Sequence, residues 1–473
     1  MDALHDSETR MTEHATTCQP GTHARILQQI REWIKTGKYS VCWLRGPAGT
    51  GKSTISNTIA AELQQIGRLA GSFFFSRKKG ARGDISGLIT TLAYQVAEHI
   101  PSIRPHMEEA LRENRTLLGQ AIETQFQKLI VEPLMNFETR NRSLIVIDGL
   151  DECAARDRLM ALVQRLGQTL ARSNIPLLFL LASRPEPDIE STLRSFVPRN
   201  TSLWLALEDS RDDVRTYLRE HLQAIRQRFP TIMAHEPERW PSHTDLDALV
   251  ENSDGLFIYA ATLVRYLGGR GSPQAKLRKV LTRHIGVDPL YEHVINEANE
   301  CPNFDSVIGT LLYLREPIPI LELAQLLQLD VSEIRSALDA CHSVLIIPNN
   351  DDESIRPYHA SLRDYLTDRE RSNDAFCDPA QFHTSITVAC LRAASDNPPK
   401  YVWVEWYYHA SCVIACANRL EGRHHCLRVK DELDKLSRGM IRDWMVEALC
   451  WNGVDHIIPK LPSMKVSGRH CYD

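Results

Sequence analysis

The sequence predicts an α/β protein, with a parallel sheet covered by helices on both faces and helical segments after it. Five short apolar runs alternate with helical apolar patterns as far as Leu207, which is typical of strands joined by crossover helices. A glycine-rich loop, residues 46–53, stands between the first run and the helix after it. Together these two observations define the fold class.

The composition limits the class of protein. The chain has 473 residues, which allows several domains, and its 43% hydrophobic and 24% charged residues are ordinary for a globular protein. The formal net charge of −5 gives no support for nucleic acid or an acidic membrane surface as the main partner. No apolar run approaches the ~20 residues of a membrane span, so no span is expected. The 12 cysteines are scattered, which favours reduced thiols and a cytoplasmic location over a disulfide framework.

The predicted elements follow one another in a regular order. A helix precedes the first strand, with Thr22 as its N-cap and Lys35 near its end. Asp84 is expected to open the helix after the second strand, and Asp209 the helix after the fifth. The five strands are predicted at the apolar runs 41–44, 72–75, 144–147, 176–182 and 203–207.

Residues 46–53 fit the pattern of a phosphate-binding loop, which is a glycine, any four residues, and then Gly-Lys-Ser. The glycines let successive backbone N–H groups face a phosphate, and the helix N-terminus adds its dipole. Lys52 would reach the β- and γ-phosphates, and the Ser53 hydroxyl would bind Mg²⁺. The predicted nucleotide-binding residues are Gly46, Pro47, Ala48, Gly49, Thr50, Gly51, Lys52, Ser53 and Thr54.

Acidic residues follow the third predicted strand. Asp148 stands at the end of this strand, and ligands of open α/β sheets bind beyond the carboxyl ends of the strands. Its carboxylate is therefore predicted to hold Mg²⁺ together with Ser53. Of the next two acidic residues, Asp151 and Glu152, one is placed to polarise the water that attacks the γ-phosphate. Arg184, at the end of the fourth strand, is a third catalytic candidate, and its side chain would contact the γ-phosphate.

The chain beyond Leu207 is predicted to be mainly helical. Three short helices and a β-hairpin between residues 307 and 359 indicate a winged helix. Its third helix carries Glu333, Arg335 and Asp339 and is not basic, so recognition of DNA is not expected. The predicted division is a mobile lead-in (1–19), a phosphate-loop NTPase domain (20–207), a helical domain (208–297), a winged helix (298–375) and a C-terminal helical domain (376–473).

Histidines and cysteines near residue 410 raise the question of a second metal site. Their spacing matches no zinc pattern, so we expect Cys412 and Cys416, one helical turn apart, to pack between helices. The group consists of His409, Cys412, Cys416, His424, His425 and Cys426.

Several stretches carry a resemblance to a known family. They are Cys-Gln-Pro-Gly-Thr at 18–22, the loop with the Trp-Leu-Arg before it, Val-Ile-Asp-Gly-Leu-Asp-Glu-Cys at 146–153, Ala-Ser-Arg-Pro-Glu at 182–186 and Tyr-His-Ala-Ser-Leu-Arg-Asp-Tyr-Leu at 358–366. In these stretches the chain resembles fungal NACHT-type NTPases of the nephrocystin-like kind, which belong to the STAND class of signal-transduction NTPases. The similarity runs from residue 18 to about residue 460.

The resemblance implies a nucleotide-dependent signalling switch. Such proteins hold ADP in a closed state; exchange for ATP with Mg²⁺ opens them and lets protomers assemble, and slow hydrolysis resets them. His359 matches the winged-helix histidine that contacts the β-phosphate of bound ADP in this family. The implied partners are the nucleotide, further copies of the chain and unidentified proteins, in innate-immunity-like or cell-death signalling. The residues do not distinguish ATP and ADP from GTP and GDP.

Other functions stay open at this stage. Relatives often carry an effector domain before this region and a repeat sensor after it; the sequence shows neither, so we expect a truncated form, a fragment or a reduced regulator. One alternative is a non-catalytic scaffold for protein interaction, which the intact Lys52, Ser53, Asp148 and Glu152 disfavour. Another is an ordinary phosphate-loop enzyme, such as a small-molecule kinase, which the long helical arm disfavours.

Overall fold

The computed structural model describes residues 17–76, 85–135, 142–173, 175–197, 202–207, 210–234, 240–281, 286–299, 301–393, 400–417, 425, 427–429 and 431–432. Several predictions fall outside these residues: Asp84 and Asp209 as helix starts, His424 and Cys426 in the possible metal group, and most of the lead-in. The same holds for the side chain of Cys416. The chain divides into two compact units, Met1–Val287 and Asp288–Asp473, and each is described by itself.

The first unit contains a five-stranded sheet in which every pairing is parallel, in the order β2-β3-β4-β1-β5. This confirms the predicted α/β fold class. The second strand begins three residues earlier than predicted, at Leu69, because Leu69 pairs with Leu144 across an irregularity at Gly71. The strands are β1 Val41–Arg45, β2 Leu69–Phe74, β3 Ser143–Asp148, β4 Leu177–Ser183 and β5 Ser202–Ala206.

Helices connect these strands and continue after them. The prediction of Thr22 as an N-cap was wrong: the first helix begins at Ala24 after His23, and the Thr22 hydroxyl instead donates to the Gln19 carbonyl at 2.8 Å. The fifth helix runs on through a π-helical turn, Gln127–Val131, and a last turn, Glu132–Leu134. The helices are α1 Ala24–Thr36, α2 Lys52–Gln65, α3 Leu88–His99, α4 Arg104–Glu113, α5 Ile122–Phe126, α6 Arg156–Arg172, α7 Pro187–Phe196, α8 Arg211–Arg228, α9 His243–Ser253, α10 Phe257–Gly268 and α11 Pro273–Leu281.

Both faces of the sheet are covered, because alternate strand residues point to opposite sides. One face packs against α1 and α2 through Leu27, Ile30, Trp33, Ile55, Ile59, Cys42, Leu44, Val146 and Leu180. The other packs against α3, the π-helical turn, α6 and α7 through Leu88, Leu92, Leu129, Leu162, Leu166, Ile189, Trp43, Ile145, Ile147 and Leu181. Burial on both faces explains why the strands read as unbroken apolar runs.

The strand register places the ends of three strands at one edge. Arg45 pairs with Ser183, and Asp148 pairs with Ala182, so β1, β3 and β4 finish side by side. A buried hydrogen bond of 2.9 Å from Trp43 Nε1 to Ser183 Oγ ties β1 to β4 just below this edge. The loops that leave these strands therefore start close together.

In the second unit, three helices between residues 304 and 338 precede a two-stranded antiparallel ladder, as the sequence indicated. The predicted winged helix, and the five-part division of the chain, stay predictions. The helix α12, Asp288–Ala298, lies in this unit, although the predicted helical domain included it. The elements are α12 Asp288–Ala298, α13 Phe304–Tyr313, α14 Ile320–Leu327, α15 Val331–Leu338, β6 Leu345–Ile346, β7 Arg356–Pro357, α16 Ser361–Leu366, α17 Arg369–Ser372, α18 Pro379–Ala393 and α19 Lys400–Ala417.

The two charged residues of α15, Arg335 and Glu333, make contacts within the unit. Arg335 binds Asp351, and its guanidinium also donates to the carbonyls of Pro348 and Asn349 at 3.1 and 3.0 Å. Glu333 closes a capping box with Asp330 at the helix start. The contacts of Arg335 hold α15 to the loop between β6 and β7.

Within the residues that the structure describes, no helix has the length and apolar character needed to cross a membrane.

Candidate nucleotide-binding site

The glycine-rich loop leaves β1 at Gly46 and enters α2 at Lys52, as the motif requires. Gly49 and Gly51 have φ angles of 79° and 89°, a left-handed conformation that side chains other than glycine adopt only with strain. Gly46 is tightly enclosed, since a Cβ there would lie 3.0 Å from the Thr50 hydroxyl oxygen. The loop thus folds around small residues and ends at a helix N-terminus, where backbone N–H groups and the helix dipole favour an anion.

Lys52 lies over its own loop. Its ammonium donates to the carbonyls of Gly46 and Pro47 at 2.8 and 2.7 Å. Burial lowers the pKa of Lys52, whereas the carboxylates of Asp151 and Asp148 oppose that shift. The amine is therefore held beside the loop and within electrostatic reach of the acidic residues at the sheet edge.

Asp148 is buried, 3% exposed, and two hydroxyls of α2 bind its carboxylate. Ser53 donates to Oδ2 at 2.6 Å, and Ser56 donates to Oδ1 at 3.0 Å. The pairing of Ser53 with Asp148 is predicted from the sequence, whereas the contact of Ser56 is not. The sequence does contain a sign of this contact, because Ser53 and Ser56 are three residues apart and residues with this spacing share a face of a helix.

The two acidic residues that follow β3 have different surroundings. Asp151 is buried and faces Arg184: its Oδ1 accepts the Arg184 backbone N–H at 3.0 Å, and its Oδ2 lies 3.1 Å from Arg184 Nε. Glu152 is half-buried. Gly149, with a φ of 73°, makes the turn between β3 and the short helix Leu150–Glu152 that carries both carboxylates. The structure thus brings Lys52, Ser53, Asp148, Asp151, Glu152 and Arg184 to one edge of the sheet.

Residues from outside the motif cover the loop. A Cβ at Gly51 would lie 2.6 Å from His23 Nε2, and a Cβ at Gly49 would lie 2.2 Å from Ile258 Cγ2. The Ile258 N–H also donates to the Gly49 carbonyl at 3.1 Å. His23 is itself buried and packs against the Phe257 ring at 4.6 Å. No local sequence pattern indicates this cover, because its residues come from before α1 and from the start of α10.

The side chains at this edge fit Mg²⁺. The ion prefers oxygen ligands and binds through one or two carboxylates, waters and substrate phosphates. Ser53 Oγ and Asp148 Oδ2 supply a hydroxyl and a buried carboxylate 2.6 Å apart, directly beside the phosphate-binding loop. Both residues predicted as magnesium ligands are therefore adjacent in the fold.

His359 lies in the second unit, directly before α16. Its Nδ1 accepts the Ser361 backbone N–H at 3.1 Å and lies 2.7 Å from the Ser361 hydroxyl oxygen. Tyr291 OH lies 2.8 Å from the same hydroxyl. The role predicted for His359 at a nucleotide phosphate stays a prediction.

His409, one of the three histidines in the possible metal group, makes its contacts within the second unit. His409 is buried, and its Nδ1 lies 2.8 Å from His383 Nδ1, while its Nε2 lies 2.7 Å from Tyr401 OH. Among the described residues, no group of three or more His, Cys, Asp or Glu side chains is arranged to hold a metal ion.

Comparison with known families gives one match over the first unit. Residues 21–184 match the family model described as Nephrocystin 3, N-terminal. This nephrocystin-like segment contains the phosphate-binding loop, the acidic residues after β3, and Arg184 as its last residue. The segment therefore has the sequence pattern and the parallel sheet of a phosphate-loop NTPase. A comparison with curated proteins found no match.

Solved structures resemble the chain only distantly. A STAND protein from Pyrococcus horikoshii with a tetratricopeptide repeat sensor is 12% identical, with a TM-score of 0.47, over 95% of this chain and 53% of that one. The present chain thus spans about half the length of that protein. The Aeropyrum pernix ORC1 protein, solved in complex with DNA, is 14% identical, with a TM-score of 0.34, over 78% of this chain and 95% of that one. At these identities and TM-scores, the two solved structures give no information about the function of this chain.

Proposed function

We propose that this protein is a nucleotide-dependent switch that binds ATP or GTP with Mg²⁺ and hydrolyses it slowly. The observation that carries the proposal is the Ser53–Asp148 hydrogen bond beside Lys52. It joins the phosphate-binding loop to the strand end that would complete a magnesium site. The nephrocystin-like match over residues 21–184 supports it.

The proposed roles follow from the surroundings of each side chain. Lys52 leaves the loop carbonyls to bind the β- and γ-phosphates, and Ser53 and Asp148 hold Mg²⁺, which neutralises phosphate charge. Glu152 polarises the attacking water, because it is more accessible than Asp151. Asp151 orients Arg184, whose guanidinium would contact the γ-phosphate.

Switching needs a group that contacts one nucleotide state more than the other, since a ligand shifts an equilibrium only by its differential affinity. We assign this role to His359, which would contact the β-phosphate of the diphosphate form. The triphosphate form would then open and self-associate. Signalling in cell death or innate immunity is the function that the resemblance implies for such a switch.

The test is the mass of the protein in solution by light scattering, with ADP and with a non-hydrolysable ATP or GTP analogue plus Mg²⁺. The proposal expects a monomer with ADP and a larger assembly with the analogue. Lys52→Ala should abolish the difference. An unchanged mass, together with undetectable nucleotide binding, would favour the scaffold alternative.

A further inference from the structure

The hydrogen bonds around His359 determine which ring nitrogen carries its proton. The Ser361 backbone N–H donates to Nδ1 at 3.1 Å, and a backbone N–H can only donate. This hydrogen bond favours the tautomer in which Nδ1 has no proton. The Ser361 hydroxyl, 2.7 Å from the same nitrogen, can bind it only by donating as well.

Tyr291 completes the chain of donors. Its hydroxyl lies 2.8 Å from Ser361 Oγ in a buried contact. Since the Ser361 proton points to His359, the Tyr291 hydroxyl must donate to Ser361 Oγ. Tyr291 and Ser361 are 1% and 5% exposed, so water does not compete for these bonds. The Tyr365 ring, 5.6 Å from that of Tyr291, packs beside it.

We infer that Ser361 and Tyr291 are positioning residues that hold His359 as the Nε2–H tautomer, so that the ring presents an N–H donor to a phosphate oxygen. This rests on the phosphate contact under Proposed function. In the other tautomer, Nε2 would present a lone pair, which a phosphate oxygen repels. A protonated Nε2 also cannot ligate a metal ion, so the chemistry selects a hydrogen-bond acceptor as the partner.

The tautomer can be measured in protein from which bound nucleotide has been removed. Protein labelled with ¹⁵N in its 18 histidines gives separate signals for protonated and unprotonated ring nitrogens, and the signal missing from His359→Gln assigns His359. We expect a protonated Nε2 and an unprotonated Nδ1 at neutral pH. In Ser361→Ala only the backbone N–H still donates to Nδ1, so we expect a larger share of the Nδ1–H tautomer there. A proton on Nδ1 in the unmutated protein would overturn the inference.

Release of ADP tests the consequence. Complete loss of the donor, in His359→Ala, should speed release at least about tenfold, the scale of one hydrogen bond to a charged group. Ser361→Ala and Tyr291→Phe should speed release by a smaller factor, because part of the ring population keeps a proton on Nε2. Ser361→Thr, which keeps the hydroxyl, should keep the slow rate.

The His359→Gln variant separates control of the tautomer from a structural effect of the Ser361→Ala substitution. In His359→Gln the amide nitrogen donates whatever its neighbours do, so Ser361→Ala should have no further effect on release there. An equal effect of Ser361→Ala in both backgrounds would overturn the inference. Normal ADP release from His359→Ala would instead refute the phosphate contact itself, while the ¹⁵N spectrum still decides the tautomer.

Discussion

The Ser53 hydroxyl donates a 2.6 Å hydrogen bond to Asp148 Oδ2 and so joins the first turn of α2 to the last residue of β3. Ser56 supports the same carboxylate from the next turn of the helix. Protein groups alone therefore hold the two proposed magnesium ligands together, so binding of the ion would require little rearrangement.

Lys52→Ala should weaken binding of the magnesium nucleotide by at least about tenfold, because no other side chain of the loop brings a cation to the phosphates. Fluorescent-nucleotide titration measures this effect. Lys35→Ala is the matched control, since Lys35 is an exposed lysine in the last turn of α1 and should leave the affinity unchanged. Equal affinities of the two variants would count against the proposed site.

Ser53→Ala and Ser56→Ala should separate metal binding from support of Asp148. We expect Ser53→Ala to lose most of the gain in nucleotide affinity that Mg²⁺ provides, because a metal ligand is missing. Ser56→Ala should keep that gain but lower the free energy of unfolding by about 1–3 kcal/mol, since a buried carboxylate loses a donor. Titrations with and without Mg²⁺, and urea unfolding, measure both. The reverse pattern would exchange the two roles.

Glu152→Gln should lower hydrolysis about 10²–10⁴-fold and leave nucleotide affinity nearly unchanged, because only the polarisation of water is removed. Phosphate release under single-turnover conditions reports the rate. Asp151→Asn should lower the free energy of unfolding, because the Asp151 carboxylate that it removes faces Arg184. Hydrolysis that survives Glu152→Gln but is lost in Asp151→Asn would make Asp151 the residue that polarises the water.

Gly49→Ala should destabilise the protein more than Gly67→Ala. Both glycines have positive φ angles, 79° and 63°, so each alanine carries a backbone strain of about 1 kcal/mol. At Gly67 nothing lies within 4 Å, whereas at Gly49 the new Cβ would meet Ile258 at 2.2 Å. Overpacking should then add about 1–3 kcal/mol in urea unfolding. Equal losses would mean that Ile258 moves away at no cost.

Acid should destabilise the second unit through its buried histidines. Burial, with Arg363 nearby, lowers the pKa of His383 to about 4. Burial, together with His383 and Arg315, lowers the pKa of His409 to about 3. Because the unfolded chain takes up these protons near pH 6.5 and the folded chain does not, the contribution is complete above pH 6.5 and is lost as the pH falls below it.

Urea unfolding between pH 7.5 and 5 measures this dependence. We expect the free energy of unfolding to decrease on acidification, and the slope to be smaller in His383→Gln. His342→Gln, at an exposed histidine, is the control and should keep the original slope. A slope that His383→Gln leaves unchanged would contradict the assignment.

The sheet and the phosphate-binding loop could be predicted because their signals are local. Unbroken aliphatic runs marked β3 and β4, and the spacing of Gly46, Lys52 and Ser53 defined the loop. The start of β2 was missed because Ala70 and Gly71 have weak strand preference. The prediction of Thr22 as a cap is wrong because its hydroxyl donates to the Gln19 carbonyl in the preceding turn.

The cover of the loop could not be read from the sequence. His23 adopts a left-handed conformation with a φ of 52°, which no local preference of histidine indicates, and it meets Gly51 only in the folded unit. Ile258 reaches Gly49 from far along the chain. Likewise, Tyr291 supports Ser361 across 70 residues, although the two-residue spacing of His359 and Ser361 is visible in the sequence.

The nucleotide content of the purified protein tests the central claim most directly. Heat denaturation releases the bound molecule, and ion-exchange chromatography identifies and quantifies it. The proposed switch predicts nearly one ADP per chain, or GDP if the protein uses guanine nucleotides, and none in Lys52→Ala. A protein that carries no nucleotide, and that binds neither ATP nor GTP when Mg²⁺ is added, would contradict the account.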